Sequence, residues 1–111
     1  MPTPPQIVVT TETDAVTLIN VFTVEPEKQL QLVQALDAAT TAIFTDLDGF
    51  ISANLHVSLD GTKVVNYAQW ASEQAYRSAT ASPGFREHTA ASAALAESYD
   101  PVLVKVFATH Q

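Results

Sequence analysis

Two asparagines stand where asparagine is poorly tolerated. Asn20 lies within Val16–Val24 (VTLINVFTV) and Asn66 within Thr62–Trp70 (TKVVNYAQW), both runs of strand type. Alternation across a strand puts Asn20 in a row with Val16, Leu18, Phe22 and Val24. It puts Asn66 in a row with Val64, Ala68 and Trp70. Asparagine is depleted in strands, and an unpaired buried amide costs ~1–3 kcal/mol. Each amide therefore needs a partner, either a protein group or a bound molecule. Two amides and an indole N–H contain no base near neutral pH, but all three can donate hydrogen bonds to a developing oxyanion. The chemistry open to Asn20, Asn66 and Trp70 is stabilisation of an enolate or phenolate drawn from a substrate that is already acidic. Anthrones and electron-rich phenols meet that condition. Phe22, beside Asn20, and Tyr76, Arg86 and His88, on the segments that follow, are the candidates for holding such a substrate.

Other chemistries find little support. His56, His88 and His110 lack metal-ligand spacing, there is no H-E-x-x-H, and no G-x-S-x-G elbow occurs. With three glycines there is no glycine-rich phosphate loop, and with no cysteine there is no disulfide, iron–sulfur cluster or thiolate nucleophile. The expectation is a site without metal and without cofactor. Each candidate also has a plainer reading. Trp70 can be a core tryptophan, and the two amides can satisfy each other. Tyr76 can be packing, Arg86 a solvated helix residue, and His88 a helix-surface or interface histidine. His56 faces away from the proposed pocket, and His110 is in the tail.

The elements that must position these residues follow from punctuation and periodicity. Residues 1–14, rich in Pro and Thr, read as a tail with a short extended piece at Ile7–Val9, ahead of one domain over 15–111. Glu25-Pro26-Glu27 opens a helix predicted over 26–45, with Leu30, Val33, Leu36, Ile43, Phe44 and Leu47 at helical spacing, and Gly49 breaks it. Phe50–Leu59 reads as the second strand. Asp60-Gly61 carries the signature of a two-residue type I′ turn, which pairs Leu55 with Asn66 and Ile51 with Trp70 and turns Phe50 to the opposite face. Ser72 is placed to cap a helix over 72–80. A further helix is predicted over 83–97, ended by Tyr99-Asp100-Pro101, and a last strand over Val102–Ala108.

Strand–helix–strand–strand–helix–strand is the order of the ferredoxin-like split βαβ fold, an α+β class with a four-stranded antiparallel sheet. In it the first and third strands are central neighbours, so Asn20 and Asn66 can adjoin. One sheet face takes the helices. The other carries Ile19, Val21, Val65, Tyr67 and Phe50, too apolar to be left wet, which implies a second subunit. A formal charge of −7 argues against nucleic-acid and anionic-membrane partners. The N-terminus has no signal-peptide pattern and no apolar run reaches the ~20 residues of a membrane span. A cytoplasmic location is the expectation.

The run NYAQW, followed by SEQAYR and SPGFREH, resembles the antibiotic-biosynthesis monooxygenase family. The likeness covers Val16 to Ala108 and is greatest to the cofactor-independent monooxygenases of aromatic polyketide pathways. It implies a homodimeric α+β barrel that oxidises an anthrone or polycyclic phenol to a quinone with O2 as co-substrate. It also implies that Asn20, Asn66 and Trp70 hold the substrate oxygen, with Tyr76 and Arg86 at substrate-binding positions. Relatives of this fold that degrade haem resemble the chain at Asn20, Trp70 and His88. They require a second tryptophan nine residues after Trp70, where this chain has Ala79. Quinol oxidation and a non-catalytic binding module are the remaining alternatives.

Overall fold

The computed structural model describes residues 7–11 and 13–111. Four strands, β1 (Val16–Thr23), β2 (Phe50–Val57), β3 (Lys63–Trp70) and β4 (Ser98–Val104), form one sheet in the order β2-β3-β1-β4. All neighbouring pairs are antiparallel. Three α-helices, α1 (Gln29–Ala42), α2 (Glu73–Thr80) and α3 (Pro83–Ala93), cover one face. The α+β sheet-and-helix order is the one expected. Its centre is the β1–β3 pair, where Asn20 lies directly opposite Asn66.

Local chemistry explains most boundaries. Ser72 caps α2, its hydroxyl accepting from the Ala75 amide at 3.1 Å. Proline fits the first turn of α3 because the missing N–H has no helical partner there. A short 3-10 turn, Pro26–Lys28, precedes α1, and another, Phe44–Asp46, follows it, so the expected single helix over 26–45 is three pieces. That offset changes the buried face. Leu32, Leu36 and Ala39 are buried, whereas Leu30 is 65% exposed. Gly49 ends the segment at φ 82°.

The β2–β3 connection corrects the turn prediction. Only Gly61 has positive φ (82°), which excludes type I′. Ser58 and Lys63 close a four-residue loop instead, with Ser58 N–H donating to the Lys63 carbonyl at 3.0 Å. The Asp60 carboxylate organises the loop. It accepts from the Thr62 amide and hydroxyl and from the Ser58 hydroxyl, which lowers its pKa to about 2. The register beyond the loop is as expected, with Leu55 opposite Asn66. Farther on, a bulge between Phe50 and Ser52 puts Phe50, not Ile51, opposite Trp70. Ile51 is therefore 52% exposed, and Phe50 meets Trp70 edge-on at 5.5 Å on the helix side.

The C-terminal part departs most from expectation. Helix α3 stops at Ala93, and β4 begins at Ser98, so Tyr99-Asp100-Pro101 lies inside a strand. Proline is tolerated there because β4 is an edge strand. Residues 7–10 form no strand. The Gln69 side chain instead donates to the Val8 carbonyl at 2.7 Å. Two apolar clusters lie between sheet and helices. One is built on Phe22, Val24, Leu32, Leu36 and Val64, the other on Leu18, Ala68, Trp70 and Ala79.

Candidate active site

Between the clusters a cavity of about 310 Å³ remains unfilled. Its floor is the helix-facing side of the sheet. β1 supplies Leu18, Asn20 and Phe22, β3 supplies Asn66, and β4 supplies Tyr99 and Pro101. These residues share one face because Asn20 pairs with Asn66 on one side and Pro101 on the other, while Phe22 pairs with Tyr99. The roof comes from the helices: Leu36 of α1, Tyr76 of α2, and Phe85, Arg86 and Thr89 with the small residues after them on α3. Phe44 stacks on Phe85 at 4.7 Å and closes one wall. Arg86, Ala90, Tyr99 and Pro101 are the exposed members of the lining, so the mouth opens between α3 and β4.

The polarity is concentrated at the floor. The Asn20 and Asn66 side-chain oxygens are wholly buried without a hydrogen-bond partner, and so is Trp70 Nε1. The two amides do not satisfy each other. Both residues belong to the lining, polar side chains in a mostly apolar box. Unpartnered polar atoms at the centre of a sheet cost ~1–3 kcal/mol each, so a stable fold that keeps them is uncommon.

The sequence candidates separate into two sets. Asn20, Asn66, Phe22, Tyr76 and Arg86 line the cavity together. Trp70 and His88 do not. Trp70 is 1% exposed and lies behind Tyr76, whose ring meets it edge-on at 6.0 Å. Trp70 thus reaches the cavity through Tyr76, and its helix-side position is shared with Phe50 and Ala79. His88 lies on α3 outside the lining, and its carbonyl accepts from the Ser92 hydroxyl at 3.0 Å. Burial raises the Tyr76 phenol pKa, with Arg77 partly opposing, so Tyr76 is a neutral donor at physiological pH.

Tyr99, Pro101, Phe85 and Thr89 were not singled out from the sequence. The signal for Tyr99 was the alternation Tyr99, Pro101, Leu103, which the proline disguised as a turn. Among the described residues no group of three His, Cys, Asp or Glu is placed to hold a metal ion, and no helix is long and apolar enough to cross a membrane.

Known proteins share both the sequence and the architecture. The tetracenomycin-F1 monooxygenase of Streptomyces glaucescens is 47% identical over 75 residues, 68% of this chain and 67% of its own. SnoaB of Streptomyces nogalater, described as a cofactor-independent oxygenase, superposes with a TM-score of 0.73 at 32% identity, over 87% of this chain and 97% of its own. The monooxygenase of the ActVA-Orf6 gene of Streptomyces coelicolor, solved with nanaomycin D, gives 0.80 at 33% identity, over 87% and 91%. The antibiotic biosynthesis monooxygenase model matches residues 15–91, and with these relatives it establishes that the chain belongs to the antibiotic biosynthesis monooxygenase family.

Proposed function

We propose that the chain is a cofactor-independent monooxygenase that oxidises an anthrone or polycyclic phenol of an aromatic polyketide pathway to a quinone. The observation that carries this reading is the pair of orphaned amides, Asn20 and Asn66, side by side on the floor of an apolar cavity. The volume suits a fused-ring ligand, and the polar groups are few and convergent. The cavity lining holds no carboxylate or histidine to act as base, so the substrate must ionise by its own acidity. The amide N–H groups favour the enolate over the neutral form.

The steps balance without a cofactor. The anthrone methylene loses a proton to water, leaving an enolate whose oxygen is held by Asn20 and Asn66. One electron passes from the enolate to O2, giving a substrate radical and superoxide. Their combination forms the C–O bond, and protonation of the peroxide gives a hydroperoxide. Loss of the remaining C–H proton with cleavage of the O–O bond yields the quinone carbonyl and water. Names given to relatives support the class: one acts on tetracenomycin F1, another is described as cofactor-independent, and a third holds nanaomycin D. The haem-degrading alternative loses support because His88 stands outside the cavity lining and Ala79, 5% exposed, fills the position of the required tryptophan.

The reading is tested by O2 uptake with dithranol, a simple anthrone, using protein shown spectroscopically to be free of flavin and haem. It predicts one O2 consumed per quinone formed. Uptake no faster than the spontaneous rate, across anthrones and benzannulated anthrones of three to five fused rings, would overturn it.

The homodimer belongs to the same proposal. The sheet face away from the helices presents Ile19, Val21, Val65 and Tyr67, all only partly buried, beside Val102, which is 48% exposed. A second copy covering this face gives the barrel. Sedimentation equilibrium should report a dimer that Val65→Asp converts to monomer.

A further inference from the structure

One end of the sheet face away from the helices is covered by the chain itself. Ser52, Gln69, Thr17 and Val104 form a row across that end, as the strand registers place them. Thr17 and Gln69 are buried there, while Ile19, Val21, Val65 and Tyr67 in the rows beyond are only partly so. The cover comes from residues 7–11, which lie ahead of the stretch shared with the family. A chain of side-chain hydrogen bonds ties them down. Gln69 Nε2 donates to the Val8 carbonyl at 2.7 Å, and Gln69 Oε1 accepts from the Ser52 hydroxyl at 2.6 Å. That hydroxyl accepts from Asn54 Nδ2 at 3.2 Å, and Asn54 Nδ2 also donates to the Tyr67 carbonyl at 3.0 Å.

The anchor grips backbone, and a carbonyl anchor reads no side chain. The side chains of Ile7, Val8 and Val9 remain 42%, 72% and 40% exposed, apolar surface continuous with an apolar sheet face. From Ile7 to Thr11 there is no charge, in a chain whose formal charge is −7. A partner steered by charge finds nothing to read here, and the complementary surface is itself uncharged and apolar. The outer face of a second copy, with Ile19, Val21, Val65 and Tyr67, is such a surface. We propose that residues 7–11 are an arm of the subunit interface. Gln69 holds the backbone of the arm on its own sheet, and Ile7, Val8 and Val9 pack against the second copy. This inference rests on the homodimer proposed above and adds to its interface a segment outside the sheet. Gln69 is then a positioning residue for the arm.

Sedimentation equilibrium tests the arm. Deleting residues 1–11 should raise the dimer Kd about a hundredfold, because the half-exposed apolar side chains of two arms no longer leave water on association. Circular dichroism should show the fold retained. Val8→Asp, at a residue already open in the single chain, should weaken the dimer by a similar factor and keeps the test decisive if the deletion fails to fold. The chain has no cysteine, so Val8→Cys supplies its one thiol. Alkylation of that thiol by iodoacetamide should be about tenfold slower in the dimer than in the same variant carrying Val65→Asp, because a buried thiol reacts slowly. Gln69→Met should weaken the dimer of the full chain and make no further difference once the arm is deleted. Equal effects in both backgrounds would overturn its positioning role. A dimer left unchanged or tightened by loss of the arm, or a thiol equally reactive in both forms, would overturn the proposal, and Val65→Asp would still show whether the sheet face alone makes the dimer. A wild-type chain that stays monomeric at every concentration would overturn the arm and the homodimer together.

Discussion

Replacing Asn66 by Leu should make the protein more stable and less active at once. Asn66 is 7% exposed, its side-chain oxygen has no partner, and its neighbours on the helix-facing side include Phe22, Leu55 and Ala68. Folding therefore carries an uncompensated desolvation cost of ~1–3 kcal/mol at this one group. Leucine removes that cost, and its extra volume can extend into the 310 Å³ cavity. After allowance for repacking, a gain of about 1 kcal/mol is expected, or roughly 4 °C in Tm for a chain of this size. The same change deletes an oxyanion donor, a loss of ~10²-fold in kcat. Thermal unfolding must be followed at one fixed protein concentration, because the proposed dimerisation would contribute to apparent stability. Turnover is read from O2 uptake. If Asn66 were a structural amide, its removal would lower Tm by several degrees. A fall in Tm would therefore refute the argument that this amide is an uncompensated cost in the folded protein, even if activity also fell.

Trp70→Phe keeps most of the ring and removes an N–H that has no partner. It should lower kcat by less than tenfold in the O2 assay, whereas Trp70→Ala should cost ~3–5 kcal/mol of stability and leave little folded protein in a denaturation curve. Burial holds the Tyr76 phenol neutral in the folded protein above its ordinary pKa of 10.0. The unfolded chain then ionises first, so Tyr76 subtracts stability as pH rises through about 10. Tyr76→Phe should flatten that part of the Tm–pH curve between pH 9 and 11, and an unchanged slope would remove Tyr76 as its source. Gly49→Ala should destabilise by ~1–3 kcal/mol in urea titration. The added methyl would enter the Ala75 side chain at a position of positive φ.

The amide pair was legible because it broke a local rule. Two asparagines in apolar alternation, on strands that the split βαβ order makes neighbours, allow Asn20 to adjoin Asn66, and the sheet register sets them directly opposite. The Ser72 cap and the Leu55–Asn66 register were equally local. What escaped depended on events with no sequence mark. One bulged residue in β2 reversed the faces of Phe50 and Ile51, as any one-residue slip does. Pro101 read as a breaker and is a breaker only in an interior strand, and the edge position of β4 is a property of the whole sheet. The 3-10 turn ahead of α1 shifted its phase, so Leu32 rather than Leu30 enters the core. Trp70 was put on the right face, but whether it touches the cavity depends on where α2 lays Tyr76, a long-range packing outcome.

The central claim is that Asn20 and Asn66 stabilise the substrate anion. Anaerobic mixing of the protein with an anthrone tests it most directly, because without O2 the enolate cannot go forward and its absorbance can be followed. The account predicts that wild-type protein accumulates bound enolate at a pH where the free anthrone remains neutral, and that Asn20→Leu and Asn66→Leu each abolish it. Wild-type protein that turns over in air yet shows no enolate without oxygen, or variants that accumulate it as well as the wild type, would contradict the account.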